Sequence, residues 1–190
     1  MEQRLAQTEQ QLRLFQKISR LMAGETAVQP VLNAIVILIQ EFTNCDSCLI
    51  YLLDGQELVL CASDHTTAAS LGRVRLSINE GLTGWVARER RLLAISGEAY
   101  LDQRFKNFAE LEADSYEAFL SAPVIARNRV VGVINIQHRE PRAYTGDEME
   151  LLTTIGEQVG CLLLLAQQDV LERTASIKWM FAGGTTGARI

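Results

Sequence analysis

The residues with the widest chemical repertoire in this 190-residue chain are four cysteines and two histidines. Cys45 and Cys48 form a C-x-x-C, the spacing of a redox pair or of half a zinc site. A zinc site needs two further ligands. There is no second C-x-x-C and no H-x-x-x-H, and His65 and His138 stand alone. Cys48 and Cys61 fall in strand-like runs and Cys161 in a helical one. No neighbour there supplies the positive field that lowers a thiol pKa. The pair at 45 and 48 therefore reads as small buried residues at a helix-to-strand junction. No serine, histidine and acid, and no carboxylate pair, sit at a spacing that couples a nucleophile to a base. The expectation is a chain with no catalytic set and no metal.

The next candidates for chemistry lie between Glu80 and His138. Glu80-Gly81-Leu82-Thr83-Gly84 could offer helix N-terminal amides to an anion, or serve as a plain turn and cap. One short glycine motif has weak specificity, which favours the turn. Trp85, Tyr100, Phe105, Phe108, Tyr116 and Phe119 could line an apolar pocket or fill it. Ser96 and Ser121 fall near expected strand ends and are the candidates for ligand hydrogen bonds. Asp102 and Arg104, two apart in a loop, read as a loop-fixing ion pair.

The elements that must position these residues follow from periodicity. Residues 2–22 read as a helix with Leu5, Leu12, Phe15 and Met22 on a heptad-like stripe, widened by Leu14, Ile18 and Leu21. Two or three heptads fit both a dimerising helix and one packed on its own domain. A second helix, capped by Thr26, runs to Phe42 and is apolar around much of its circumference. Cys48 to Leu53 and Glu57 to Ala62 form a hairpin about Asp54-Gly55. Arg73 to Leu76 reads as an edge strand, Gly84 to Arg90 as a short helix capped by Thr83, and Leu92 to Ser96 as a strand. Residues 97–118 are irregular. Phe119 to Ala126 and Val130 to Gln137 form a second hairpin. Asp147 opens a long helix to Leu171, with Gly156 and Gly160 positioned for close packing. Residues 171–190 read as a tail or truncated linker, which leaves 1–22 as a signalling helix and 23–170 as the domain.

Composition bounds the remainder. The chain is 48% hydrophobic and 22% charged, enough for a sizeable core. Its net charge of −5 argues against nucleic acid or an anionic membrane as partner. The uninterrupted apolar runs fall short of the ~20 residues of a membrane span. The polar start, Met1-Glu2-Gln3-Arg4, lacks a secretory core, so the expected location is the cytoplasm.

Several short motifs in this order resemble a GAF domain, over about residues 12–168. They are Cys48-Leu-Ile-Tyr-Leu-Leu-Asp54, Glu80-Gly-Leu-Thr-Gly-Trp-Val-Ala87, Asp102-Gln-Arg-Phe105, Phe119-Leu-Ser-Ala-Pro123, Gly132-Val-Ile-Asn135 and Tyr144-Thr-Gly-Asp-Glu148. The wording is similar to bacterial GAF modules that precede nitrogen-type phosphoenolpyruvate phosphotransferases or antiterminator domains. The resemblance implies an α+β fold: a central antiparallel sheet with the terminal helices on one face and short helices and loops on the other. It implies a pocket for an unidentified small molecule between the sheet and residues 80–120, and a homodimer through the terminal helices. An output domain would lie in a longer protein or a separate partner. The family's cyclic-nucleotide motif has no Asn-Lys pair here; His138-Arg139, Tyr144 and Asp147-Glu148 stand at the corresponding places. No cysteine lies between Gly81 and Ser121 for a covalent bilin, and neither histidine is expected in the cap as a haem ligand. The family also includes enzymes that reduce free methionine sulfoxide with reactive thiols.

Overall fold

In the computed structural model the described residues are 2–24, 27–64, 71–106 and 116–182, with side chains between 8 and 166. Helices α1 (Glu2–Gly24) and α2 (Val28–Thr43) lead into a hairpin of β1 (Ser47–Asp54) and β2 (Glu57–Ser63). β3 (Arg75–Ser77), α3 (Gly81–Glu89), β4 (Leu93–Ile95) and a 3-10 turn at Ala99–Leu101 follow. A second hairpin, β5 (Ala118–Ala126) and β6 (Arg129–His138), precedes the closing helix α4 (Gly146–Ala182). The six strands form one antiparallel sheet in the order β3-β2-β1-β6-β5-β4.

Both long hairpins turn on two residues. Gly55 takes φ +63° in the first, and Arg127 and Asn128 both have positive φ in the second. Two left-handed residues match the right-handed twist of the flanking strands. β3 is an edge strand, and Arg75 on it bonds both Asp54 and Glu57.

Side-chain alternation divides the sheet into two faces. Cys48 and Ile50 of β1, Ala118, Leu120, Ala122 and Val124 of β5, and Ile134 and Ile136 of β6 point to one side. There they meet Leu32, Ile35, Val36 and Ile39 of α2 and Leu151, Leu152, Ile155 and Val159 of α4. α4 approaches β5 backbone to backbone: a Cβ on Gly156 would meet the Pro123 carbonyl at 3.0 Å, and one on Gly160 would run into the Ile125 carbonyl. By length and mean hydropathy alone, residues 146–166 of α4 are apolar enough to cross a bilayer, although no uninterrupted apolar run within them reaches that length. Leu151, Leu152, Ile155 and Val159 of this segment pack on the sheet, while Leu165 is 59% exposed.

Three local expectations change. The α1 stripe is rotated: Leu14 and Ile18 are buried, whereas Leu12 is 56% exposed. Direct packing of α1 on α2 and α4 decides that face, and heptad spacing alone does not. α4 continues past Leu171 to Ala182. α3 begins at Gly81 with Glu80 before it, and no side-chain cap bond is made, so Thr83 is not the cap. Thr26 lies outside the described residues, and Ala27 occupies the cap position of α2.

Candidate functional site

The other face of the sheet carries α3 and the 3-10 turn. Phe119 of β5 is buried with Leu82 of α3 and Ala99, and Leu93, Ile95 and Phe105 pack against these three. Two positions on, Ser121 is fully buried and donates to Asn135 Oδ1 at 2.6 Å. Asn135 lies directly opposite in the β5–β6 ladder. Its Nδ2 donates to Thr83 Oγ1 of α3 at 2.8 Å. A buried chain of three neutral polar side chains thus ties the short helix to the two central strands. Buried polar atoms must be paired, and these are paired with one another.

α3 can sit this close because of one glycine. A Cβ on Gly84 would meet the Ser77 carbonyl at 2.6 Å and the Ile78 carbonyl at 2.9 Å. Around the helix, Val86 and Ala87 join Leu49, Tyr51, Leu58, Leu60, Leu76 and Val133 in a second apolar cluster. Trp85 is half-buried against that cluster, and the Arg104 guanidinium lies 4.9 Å over its ring. Arg104 also grips Asp102 through two nitrogens, at 2.9 and 2.7 Å. The bond from Arg104 holds the Asp102 carboxyl below its ordinary range. Asp102 and Arg104 therefore fix the loop, as their spacing implied.

The candidate residues separate into groups. Phe105, Phe119 and Ser121 converge on the sheet-to-cap junction. Tyr116 is buried, Tyr100 is 39% exposed on the 3-10 turn, and Trp85 packs toward the β1–β2 side. Ser96 is exposed, and its carbonyl accepts the Arg142 N–H at 2.8 Å. Phe108 and His65 lie outside the described residues. Thr83 and Asn135 are the polar residues that sequence reasoning missed as site candidates. The available signal was Asn135 itself, a lone amide in Gly132-Val-Ile-Asn-Ile136 on the same face as Val133.

With this geometry in place, the comparison with protein families is decisive: a profile described as "GAF domain" matches residues 27–163. The chain belongs to the GAF-domain family. The described sheet and helices are those of this α+β fold. The chain is 26% identical over 159 residues to a protein of Escherichia coli K12 named phosphoenolpyruvate-dependent phosphotransferase system, covering 83% of this chain and 21% of that one. It thus spans about a fifth of the curated relative's length. The GAF domain of an Acinetobacter phosphoenolpyruvate-protein phosphotransferase superposes with a TM-score of 0.73 at 27% identity, covering 83% of this chain and 95% of that one. A free methionine-R-sulfoxide reductase from Neisseria meningitidis, solved with its substrate, shares the fold at a TM-score of 0.70 and 15% identity, covering 84% and 91%.

The residues at the places of the family's cyclic-nucleotide motif lie away from the cap in this GAF domain. His138 and Tyr144 are buried near the start of α4, with His138 Nδ1 3.0 Å from Tyr144 Oη. Arg142 reaches His138 Nε2 at 2.9 Å, and it pairs with Glu148. Arginine only donates, so Nε2 holds the lone pair and Nδ1 carries the proton. Burial, and then the Arg142 charge, lower the His138 pKa from its ordinary 6.5. Thr145 and Glu148 bond reciprocally through side chain and backbone, a capping box that starts α4.

All four cysteines lie off the cap. Cys45, Cys48 and Cys61 belong to the helix-side core, and Cys161 is exposed on α4. Burial pushes Cys45 up to about 11 and raises Cys48 well above the ordinary thiol value. Among the described residues, no three of His, Cys, Asp and Glu gather as a metal site.

Proposed function

We propose that this GAF domain is a non-catalytic sensory module of bacterial signal transduction, working in the cytoplasm. It binds a small molecule between the cap and the sheet and passes the signal through its terminal helices. The supporting observation is the junction of Phe119, Leu82 and Phe105 beside the buried Ser121–Asn135–Thr83 chain. An apolar wall with a few fixed polar groups is the usual composition of a small-molecule site. The ligand pocket residues of this reading are Phe105, Tyr116, Phe119 and Ser121, with Thr83 and Asn135 added and Trp85 left to the neighbouring cluster. The family match and the phosphotransferase relatives support a regulatory role.

A thiol-dependent reductase is the competing reading, raised by the shared fold with the Neisseria enzyme. It needs a reactive thiolate beside the cap. The cysteines here are on the helix side or on the outside of α4, and burial disfavours the thiolate of the inner pair.

Native mass spectrometry of the purified chain tests the sensory reading. A discrete small-molecule adduct, lost in Ser121→Leu with circular dichroism unchanged, is the expected result. An adduct-free chain that stays so against cell extract would instead favour a filled structural module. Homodimerisation through α1 and α4 is tested by deleting residues 1–22. Light scattering should then report a fall in mass to the monomer, and an unchanged mass would remove α1 from the interface.

A further inference from the structure

α1 and α2 do not close against each other along their whole length. Lys17, Arg20, Leu21 and Gly24 of α1 and Ala34, Ile37 and Leu38 of α2 line an open groove of about 530 Å³. Its α2 wall is apolar, and Ile37 stands 53% exposed. A side chain on Gly24 would extend into open space. Its α1 wall is apolar too, built in part from the stems of Lys17 and Arg20. Lys17 and Arg20 are exposed, and Arg13 lies one turn earlier on the same stripe. Among the described residues, no ion pair or hydrogen bond engages Lys17 or Arg20. The chain carries a net charge of −5, so two adjacent exposed cations here run against its overall balance. Among the described residues the lining includes no carboxylate, and Glu41 lies one turn beyond Ile37 on the opposite wall.

We propose that the α1–α2 groove is a docking site for an amphipathic helix of another protein, with an apolar stripe at i, i+4 and i+7 and carboxylates along one flank. The apolar stripe lies on Ile37 and Leu38, where an exposed β-branched side chain and an open groove give it area to bury. The acidic flank faces Lys17 and Arg20, whose stems line the groove while their charges reach its rim. Glu41 fixes the orientation, because it repels an acidic flank laid on the α2 side. A second copy of this chain is the poorer occupant. Two copies each carry a net charge of −5, and that like charge opposes their association. The leucines exposed elsewhere on the terminal helices, Leu12 and Leu165, leave a separate surface for self-association. This inference stands independently of whether the cap holds a ligand.

The test uses the whole chain and two labelled helical peptides of about five turns. Both carry leucine at i, i+4 and i+7; one has glutamates along one flank and the other has lysines there. Fluorescence anisotropy should show the acidic peptide binding about tenfold tighter, with the difference shrinking as salt rises. The double variant Lys17→Glu, Arg20→Glu should invert the preference. Ile37→Asp should abolish binding of both peptides; being exposed, it should leave circular dichroism unchanged. If Ile37→Asp fails to fold, the charge-reversal pair decides alone. Equal affinity for the two peptides, no inversion, or a wild-type dimer that Ile37→Asp dissociates would each overturn the proposal.

Discussion

On its helix side the sheet meets one continuous apolar layer; on its cap side the same strands meet two smaller clusters and a buried polar chain. The helix-side core runs from Leu14 and Ile18 through α2, β1, β5 and β6 to α4. The cap side divides into a cluster around Tyr51 and Val86 and another around Leu82 and Phe119. Its fixings are polar: Ser121 to Asn135 to Thr83, Arg104 to Asp102, and Lys106 to Glu80. Burial of apolar area is the larger stabilising contribution, and exposed ion pairs contribute little. The difference teaches that apolar packing on the helix side carries most of the fold, while the cap is fastened to the sheet by smaller clusters and polar ties.

The largest expected effect is on the helix side. Ile155 is fully buried against β5, and Ile155→Ala should lower stability by about 2–5 kcal/mol in urea denaturation. A loss smaller than that of Leu82→Ala on the cap side would break the comparison.

Next comes the polar chain. Asn135→Ala leaves the Ser121 and Thr83 hydroxyls unpaired, at an expected cost of about 1–3 kcal/mol. Replacing all three together, Ser121→Ala, Asn135→Leu and Thr83→Val, should cost less than the single change. If the triple variant is the worse one, the chain is more than a tie and a shape constraint is at work.

A smaller effect concerns pH. The folded His138 pKa lies below its ordinary 6.5. The unfolded chain therefore binds more protons as the pH drops, and stability rises with pH in that window. The contribution is complete above pH 6.5 and is lost as pH falls from 6.5 through the lower folded value, at no more than about 1.4 kcal/mol per unit. His138→Gln should flatten that slope in denaturation series at several pH values, leaving the cap side unaffected.

The smallest effect is Arg104→Gln. The pair with Asp102 is partly exposed, and the stack on Trp85 adds modestly, so a loss of about 1 kcal/mol or less is expected. Tryptophan emission should shift by loss of the cation over Trp85. A loss as large as that of Asn135→Ala would show that the cap is held mainly by charge.

Much of the fold was legible because strand alternation and turn residues act locally. Asp54-Gly55 specified the first hairpin, and Arg127-Asn128 lay where the second had to turn. The helix-side core could be read from Ile35, Ile39, Leu152, Ile155 and Val159, whose spacing is helical. The site was legible only in part. Phe105 and Phe119 share one cluster and Ser121 bonds Asn135 from mid-strand, while Ser96 and Tyr100 are exposed and Trp85 packs toward another cluster. Their placement depends on where an irregular segment crosses the sheet, and no local periodicity encodes that.

By itself the sequence determined the α+β class, the order of elements and the family, because these rest on hydrophobic period, turn chemistry and short motifs. Tertiary structure alone decided that Thr83 joins Asn135 instead of capping α3, since a hydroxyl's partner is set by which strand lies beneath it. It also decided that Leu12 faces outward while Leu14 and Ile18 face in, because packing two helices on one sheet fixes the rotation of the third. Likewise, it left Lys17 and Arg20 beside Ile37 across an open groove. Two helices bring those residues together only after both have docked.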